Sequence, residues 1–252
     1  MSARRDSILR ELGLGPAWRL RVASAAPPPE PAAVPPSLTF APAAAETAPP
    51  PASAEDCGPA IIASMGWDAL QAAIAGCRAC DLCKARKQAV PGVGDVNADW
   101  MFVGEGPGAE EDECGEPFVG QAGKLLDAML AAIDLKRFDD VYIANAVKCR
   151  PPGNYTPEAA ETTACRPFLE RQIELIRPKL IVALGRPAAQ TLLQAEVKIG
   201  AARGRLFDFR GIPLIVTYHP AYLLRNLPDK ARAWEDLCFM RRTMKELKKQ
   251  GE

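Results

Sequence analysis

The chain has 252 residues, with 31 Lys and Arg against 31 Asp and Glu, so its formal net charge is zero. That length holds one sizeable core or one domain with an appendage, and the charge balance means that any nucleic-acid contact must come from a local basic patch. No apolar run reaches membrane-spanning length, and no apolar segment follows the arginines near the N-terminus as a secretory signal requires. Eight cysteines in such a chain point to a reducing cytosol and to metal or cluster ligation, not disulfides.

Ser7 to Leu12 puts Ile8, Leu9 and Leu12 on one helical face, and Pro16, Trp18 and Leu20 add a second short apolar patch. Eleven of the 24 prolines then fall between Pro27 and Pro59, mixed with alanine, a composition that forms neither helix nor sheet. The expected organisation is an amphipathic peptide (1–22), a disordered Pro/Ala-rich linker (23–60) and a folded domain (61–252). The peptide, through residues 7–21, is a candidate for docking on a partner protein.

In the folded domain, Trp67, Leu70 and Ile74 have helical spacing and lead to Cys77. Met101 to Val103 end a buried strand, and Leu125, Leu126, Met129, Leu130 and Ile133 line an amphipathic helix. Val141 to Asn145 is a second strand. Thr156 and Pro157 suit the N-cap and first turn of a helix that stops before Pro178. Leu180 to Leu184 reads as a fully buried strand, and Pro187 opens another helix. Arg205 to Arg210 and Ile212 to Tyr218 read as a hairpin turning at Gly211, and a last helix, roughly 230–248, buries Trp234, Leu237 and Met244. Strands alternating with helices predict a three-layer α/β/α domain on a central four-stranded, mainly parallel sheet.

The chemistry concentrates between Met101 and Lys124, where a strand meets Gly104, Gly106 and Gly108 and then a helix. That order places a binding site at the carboxyl edge of the sheet. A dinucleotide fingerprint is disfavoured because Glu105, Glu110, Glu111 and Asp112 would crowd a pyrophosphate. A phosphate loop is excluded because Leu125 follows Lys124 where Ser or Thr is needed. Cys77, Cys80 and Cys83 form C-x2-C-x2-C, and with Cys149-x15-Cys165 after a long gap they offer a four-thiolate set from two distant segments. Its spacing alone accepts zinc or a [4Fe–4S] cluster. Cys57 and Cys238 read as bystanders, and Cys114 lies in the acidic loop.

With Gly104-Glu-Gly-Pro-Gly, Asn145-Ala-Val-Lys-Cys-Arg-Pro-Pro and His219-Pro-Ala-Tyr-Leu-Leu-Arg in order behind these cysteines, the chain resembles the family-4, iron–sulfur uracil-DNA glycosylases. The likeness runs from about Cys77 to the last helix. It implies a glycosylase-like fold and a [4Fe–4S] cluster on Cys77, Cys80, Cys149 and Cys165, with zinc the lesser alternative and Cys83 outside the register. It also implies hydrolysis of the N-glycosidic bond of a uracil flipped out of DNA by a cytosolic monomer. The other reading is a weakly catalytic, glycosylase-like DNA-binding module of a repair or replication complex.

By the same resemblance Phe118 stacks on the uracil, Asn145 reads its O4 and N3–H, His219 supports charge on O2, and Glu111 blocks the methyl group of thymine. Gly106 stands where other uracil glycosylases carry a water-activating aspartate, which leaves Glu105 and Asn154 as water-positioning candidates. Leu223 and Arg225 are expected to enter the minor groove and clamp a phosphate. Tyr155-Thr156 replaces a more basic pair. No Lys-Arg-Arg-Ile-His insertion follows Arg150, which disfavours the covalently trapping relatives.

Overall fold

The structure, a computed structural model, describes residues 58–250; the N-terminal peptide, nearly all of the proposed linker and Cys57 lie outside them. Three helices come first: α1 (Pro59–Ser64), α2 (Trp67–Gly76) and α3 (Leu82–Ala85). Strands β1 (Val93–Gly94) and β2 (Trp100–Gly104) lead to α4 (Ala109–Cys114) and α5 (Gln121–Ala131), then to β3 (Val141–Asn145) and α6 (Ala159–Ile176). The chain continues through β4 (Leu180–Leu184), α7 (Arg186–Leu193), α8 (Ile199–Ala202), β5 (Leu206–Phe209) and β6 (Ile212–Thr217). It ends with α9 (Pro220–Arg225) and α10 (Asp229–Gln250).

The six strands lie in the order β1-β3-β2-β4-β6-β5. The central four are parallel, as expected, and two antiparallel strands finish the edges. The β5–β6 hairpin turns through Arg210 and Gly211, both at positive φ, which suits a two-residue loop between twisted strands. Strand β1, two residues long, carries too little pattern to be predicted.

Every residue of β2, β3 and β4 is buried, and the period of two divides them between two cores. Trp100, Phe102, Val141, Ile143, Leu180 and Val182 face α5 and α10. Met101, Val103, Tyr142, Ala144, Ile181 and Ala183 face α6 and α7. Each large side chain so buried contributes on the order of 1.5–3 kcal/mol. A third cluster joins Ile62, Leu70, Ile74 and Leu82 to Val147, Cys149, Cys165 and Phe168.

Two expectations need correction. Helix α10 buries Ala233, Leu237, Met240 and Met244, a helical stripe that leaves Trp234 48% exposed. Helix α6 starts at Ala159, not after Thr156, because Glu161 accepts a hydrogen bond from Glu158 N at 2.8 Å and so closes the helix two residues later. No helix among the described residues is long and apolar enough to cross a membrane.

Candidate active site

The carboxyl ends of β2, β3 and β6 converge on a cavity of about 360 Å³. Glycines permit this convergence. Gly104 pairs with Asn145 across the β2–β3 ladder, and a Cβ there would fall on Asn145 Oδ1 and within 2.6 Å of Phe118 Cζ. A Cβ at Gly106 would stand 2.8 Å from Val147 Cγ2. The cavity is lined by Glu105, Gly106, Glu111, Phe118, Asn145, Asn154, His219 and Arg225, which brings together all but one of the predicted pocket and DNA-contacting residues.

Phe118 is 6% exposed and has φ 57°. This left-handed conformation costs a non-glycine residue about 1–2 kcal/mol, and charged side chains hold it from two directions. Glu111 Oε1 accepts from Val119 N at 3.0 Å and Gly120 N at 3.2 Å, while Oε2 accepts from Gly108 N at 3.0 Å. Arg137 donates from Nη1 to Pro117 O at 2.9 Å and from Nη2 to Phe118 O at 2.8 Å, with Nε on Asp127. Gly123 is obligatory beneath, since a Cβ there would collide with the Phe118 carbonyl. The family resemblance singled out Phe118 and Glu111 but not Arg137, whose only linear signal is one arginine in a connecting loop.

His219 follows β6 by two residues and caps α9, its Nδ1 accepting from Ala221 N at 3.2 Å. That bond leaves the proton of the neutral imidazole on Nε2. Burial, reinforced by Arg225 and opposed by Glu111, lowers the His219 pKa to about 4, so the ring is neutral at ordinary pH. Its centroid lies 5.5 Å from that of Phe118. Gly185, at φ +89°, makes room for it: a Cβ there would stand 2.9 Å from His219 Cβ. Below the histidine, buried Asp236 accepts from Thr217 Oγ1 at 2.6 Å and Arg203 Nε at 2.8 Å, joining α10 to the end of β6.

Asn145 is 2% exposed, and its Oδ1 is buried without a hydrogen-bond partner among the described residues. Its backbone carbonyl accepts from Lys148 Nζ at 2.9 Å, and the same ammonium donates to Gln172 Oε1 at 2.6 Å. Burial lowers the Lys148 pKa to about 8. Glu105 is raised from its ordinary value by burial, against a hydrogen bond from Thr156 and the charge of Arg186. Asn154 is exposed at the rim, its Oδ1 accepting from Arg150 Nε at 2.8 Å.

Leu223 is the exception. It is 1% exposed and packed in the same core cluster as Leu126, Tyr218 and Leu237. A side chain so placed has no free surface to insert between bases, which corrects the expectation for it. Its neighbour Leu224 is 41% exposed.

Helix α2 ends at Cys77, and Cys77, Cys80, Cys149 and Cys165 line one small cavity beside Arg86 and Lys148. Cys83 is not part of that lining. Arg86 Nη1 donates to Cys149 Sγ at 2.8 Å, with Nη2 on the carbonyls of Ala75 and Cys77. Lys148 N donates to Cys165 Sγ at 3.2 Å. Burial pushes the Cys149 thiol up to about 11 and the Cys165 thiol up to about 12. No three His, Cys, Asp or Glu side chains among the described residues form a site for a single metal ion.

Residues 91–238 match the family model described as the uracil DNA glycosylase superfamily. The chain belongs to that superfamily. It is 43% identical over 184 residues to a type-4 uracil-DNA glycosylase of Pyrobaculum aerophilum, covering 69% of this chain and 93% of the relative. It is 48% identical over 159 residues to one of Archaeoglobus fulgidus, covering 60% and 79%. It is 47% identical over 158 residues to one of Thermotoga maritima, covering 62% and 82%. The superfamily span contains the whole cavity from Glu105 to Arg225 together with Cys149 and Cys165; Cys77 and Cys80 precede it.

Proposed function

We infer that the chain is a uracil-DNA glycosylase, which accepts a uracil nucleotide flipped out of DNA and hydrolyses its N-glycosidic bond to leave an abasic site. The observation that carries this reading is Asn145 Oδ1, a buried acceptor without a partner among the described residues, in a cavity also lined by Phe118 and His219. A buried polar atom left unpaired costs about 1–3 kcal/mol, which uracil N3–H would relieve. The amide NH₂ of Asn145 then donates to O4.

Phe118 supplies the stacking face, and neutral His219 donates from Nε2 to O2 as the base departs. The water oxygen bonds to C1′, the C1′–N1 bond breaks, and its electron pair leaves with the uracil as an anion. Glu105 is the stronger candidate for taking the water's proton, because burial raises its carboxyl toward the working range. Asn154 already spends its oxygen on Arg150. Glu111 commits both oxygens to backbone N–H groups, so any exclusion of thymine is by its bulk alone. Arg225, at the cavity wall, is the phosphate clamp, and exposed Leu224 takes the wedge role first expected of Leu223.

Cys77, Cys80, Cys149 and Cys165 fit a [4Fe–4S] cluster. Four soft donors share one cavity, a donor set that suits such a cluster and leaves zinc as the lesser alternative. Such a cluster would tie α2 and α6 to the β3 exit; Arg86 and the Lys148 amide already donate to two of its sulfurs. The test is release of free uracil from a uracil-containing oligonucleotide by anaerobically purified protein, alongside iron and acid-labile sulfide analysis. DNA binding without release would favour the non-catalytic module. Stoichiometric zinc in an active, colourless protein would remove the cluster.

A further inference from the structure

Tyr155 stands on the rim of the cavity and remains 40% exposed, an unusual place for a large aromatic side chain with no assigned role. It is not loose. Its hydroxyl donates to Glu161 Oε1 at 2.5 Å, and Glu161 is itself 8% exposed and fixed by the bond its Oε2 accepts from Glu158 N. The carboxylate keeps the phenol protonated, pushing it up to about 12. One end of the ring is thus anchored while the residue stays open to solvent. An anchored aromatic loses little freedom when something stacks on it.

The charges around it narrow what that partner is. Glu158 and Glu161 lie at the hydroxyl end of the ring, where a phosphate would meet like charge and the neutral face of a base would not. Arg150, bonded to Asn154, and Arg225, on the cavity wall, are the cations left for the flanking phosphates. Phe118 lines the same cavity, so a nucleotide held there brings its neighbour in the strand toward the rim.

We propose that Tyr155 is a stacking platform for the base adjacent to the flipped uracil, giving the enzyme a sequence-tolerant hold on unpaired DNA. The proposal rests on the uracil-DNA reading. Stacking on an aromatic side chain does not depend on base identity. The hold matters most in single strands, where the adjacent base has no helix to leave.

The test uses the full-length protein and variants Tyr155→Phe, Tyr155→Trp and Tyr155→Leu. A single-stranded oligonucleotide carrying 2-aminopurine beside a tetrahydrofuran abasic site reports stacking without turnover. Wild type, Phe and Trp proteins should quench its fluorescence on binding, and Leu should not. On single-stranded uracil DNA, Tyr155→Leu should raise KM about tenfold or more with kcat within twofold of wild type, and the effect on duplex should be smaller. If the Leu variant does not fold, unequal quenching by Phe and Trp, in order of ring size, decides the matter. Unchanged KM and quenching in Tyr155→Leu, or a loss confined to kcat, would overturn the proposal. Failure of the wild type to release uracil is read separately and would overturn the underlying function instead.

Discussion

The two sides of the β3 exit are only four residues apart at Asn145 and Cys149, yet they are organised by different means. On the pocket side, the backbone around Phe118 is held by Glu111 on its amides and Arg137 on its carbonyls. The chain thereby fixes the backbone that carries the Phe118 ring without help from a ligand. On the cysteine side, a guanidinium and a backbone amide are aimed at sulfur, and burial opposes ionisation of the two deepest thiols. The pocket is preorganised by polar groups that satisfy one another, whereas the cysteine lobe offers donors suited to a bound inorganic group.

The largest expected effect is therefore Cys149→Ala. It should abolish the brown colour and most soluble protein, because it removes a proposed ligand from the third core cluster. Soluble protein of unchanged iron content and melting temperature would show that the lobe is as self-sufficient as the pocket.

Arg137→Met comes next. It removes charged hydrogen bonds to two carbonyls, each worth about 1.5–3 kcal/mol when buried, from a residue strained at φ 57°. Uracil release at saturating DNA should fall about tenfold and Tm by about 6 °C or more, at roughly 2–4 °C per kcal/mol for a domain of this size, with iron content unchanged and partial rescue by Arg137→Lys. Loss of iron in the same variant would mean that the two sides are not separately organised.

A smaller effect is expected from pH. His219 is neutral in the native state because burial lowers its pKa to about 4, while the unfolded imidazole titrates near 6.5. The unfolded chain binds the proton first, so native stability should be undiminished above about pH 6.5 and decline as pH falls toward 4. The rate profile should show no inflection from this group near 6.5, and His219→Gln should flatten the stability slope in that window. A His219 resonance titrating at 6.5 in the native protein would remove the buried neutral donor. Smallest of all, Cys83→Ala should retain the cluster absorbance, since Cys83 is not part of the cysteine cavity's lining.

Much of this was readable in the sequence. The limits of β3 and β4 coincide with the apolar runs Val141–Asn145 and Leu180–Leu184, because strands buried on both faces leave no ambiguity of pattern. Phe118, Asn145 and His219 were singled out through the family resemblance, and the fold brings all three to one cavity. What escaped depends on contacts distant in sequence. Arg137 acts on carbonyls nearly twenty residues earlier, and Asp236 meets Thr217 across two elements. Leu223 and Trp234 were misjudged because a short helix and a long amphipathic one can each be rotated by one residue without breaking the local pattern. Only packing against α5 and the sheet fixes which residue turns inward.

The central claim is that Asn145 reads uracil, and the most direct measurement is single-turnover excision by Asn145→Asp. The change is nearly isosteric, so the fold and cluster absorbance should survive, with Tm lowered by the carboxylate placed at a site 2% exposed. It keeps the acceptor for N3–H but replaces the donor to O4 with a charge. Loss of a donor aimed at the reacting group typically costs on the order of 10²–10³ in rate, and uracil release should fall at least about 100-fold. Excision by the folded, cluster-bearing variant at near the wild-type rate would contradict the assignment.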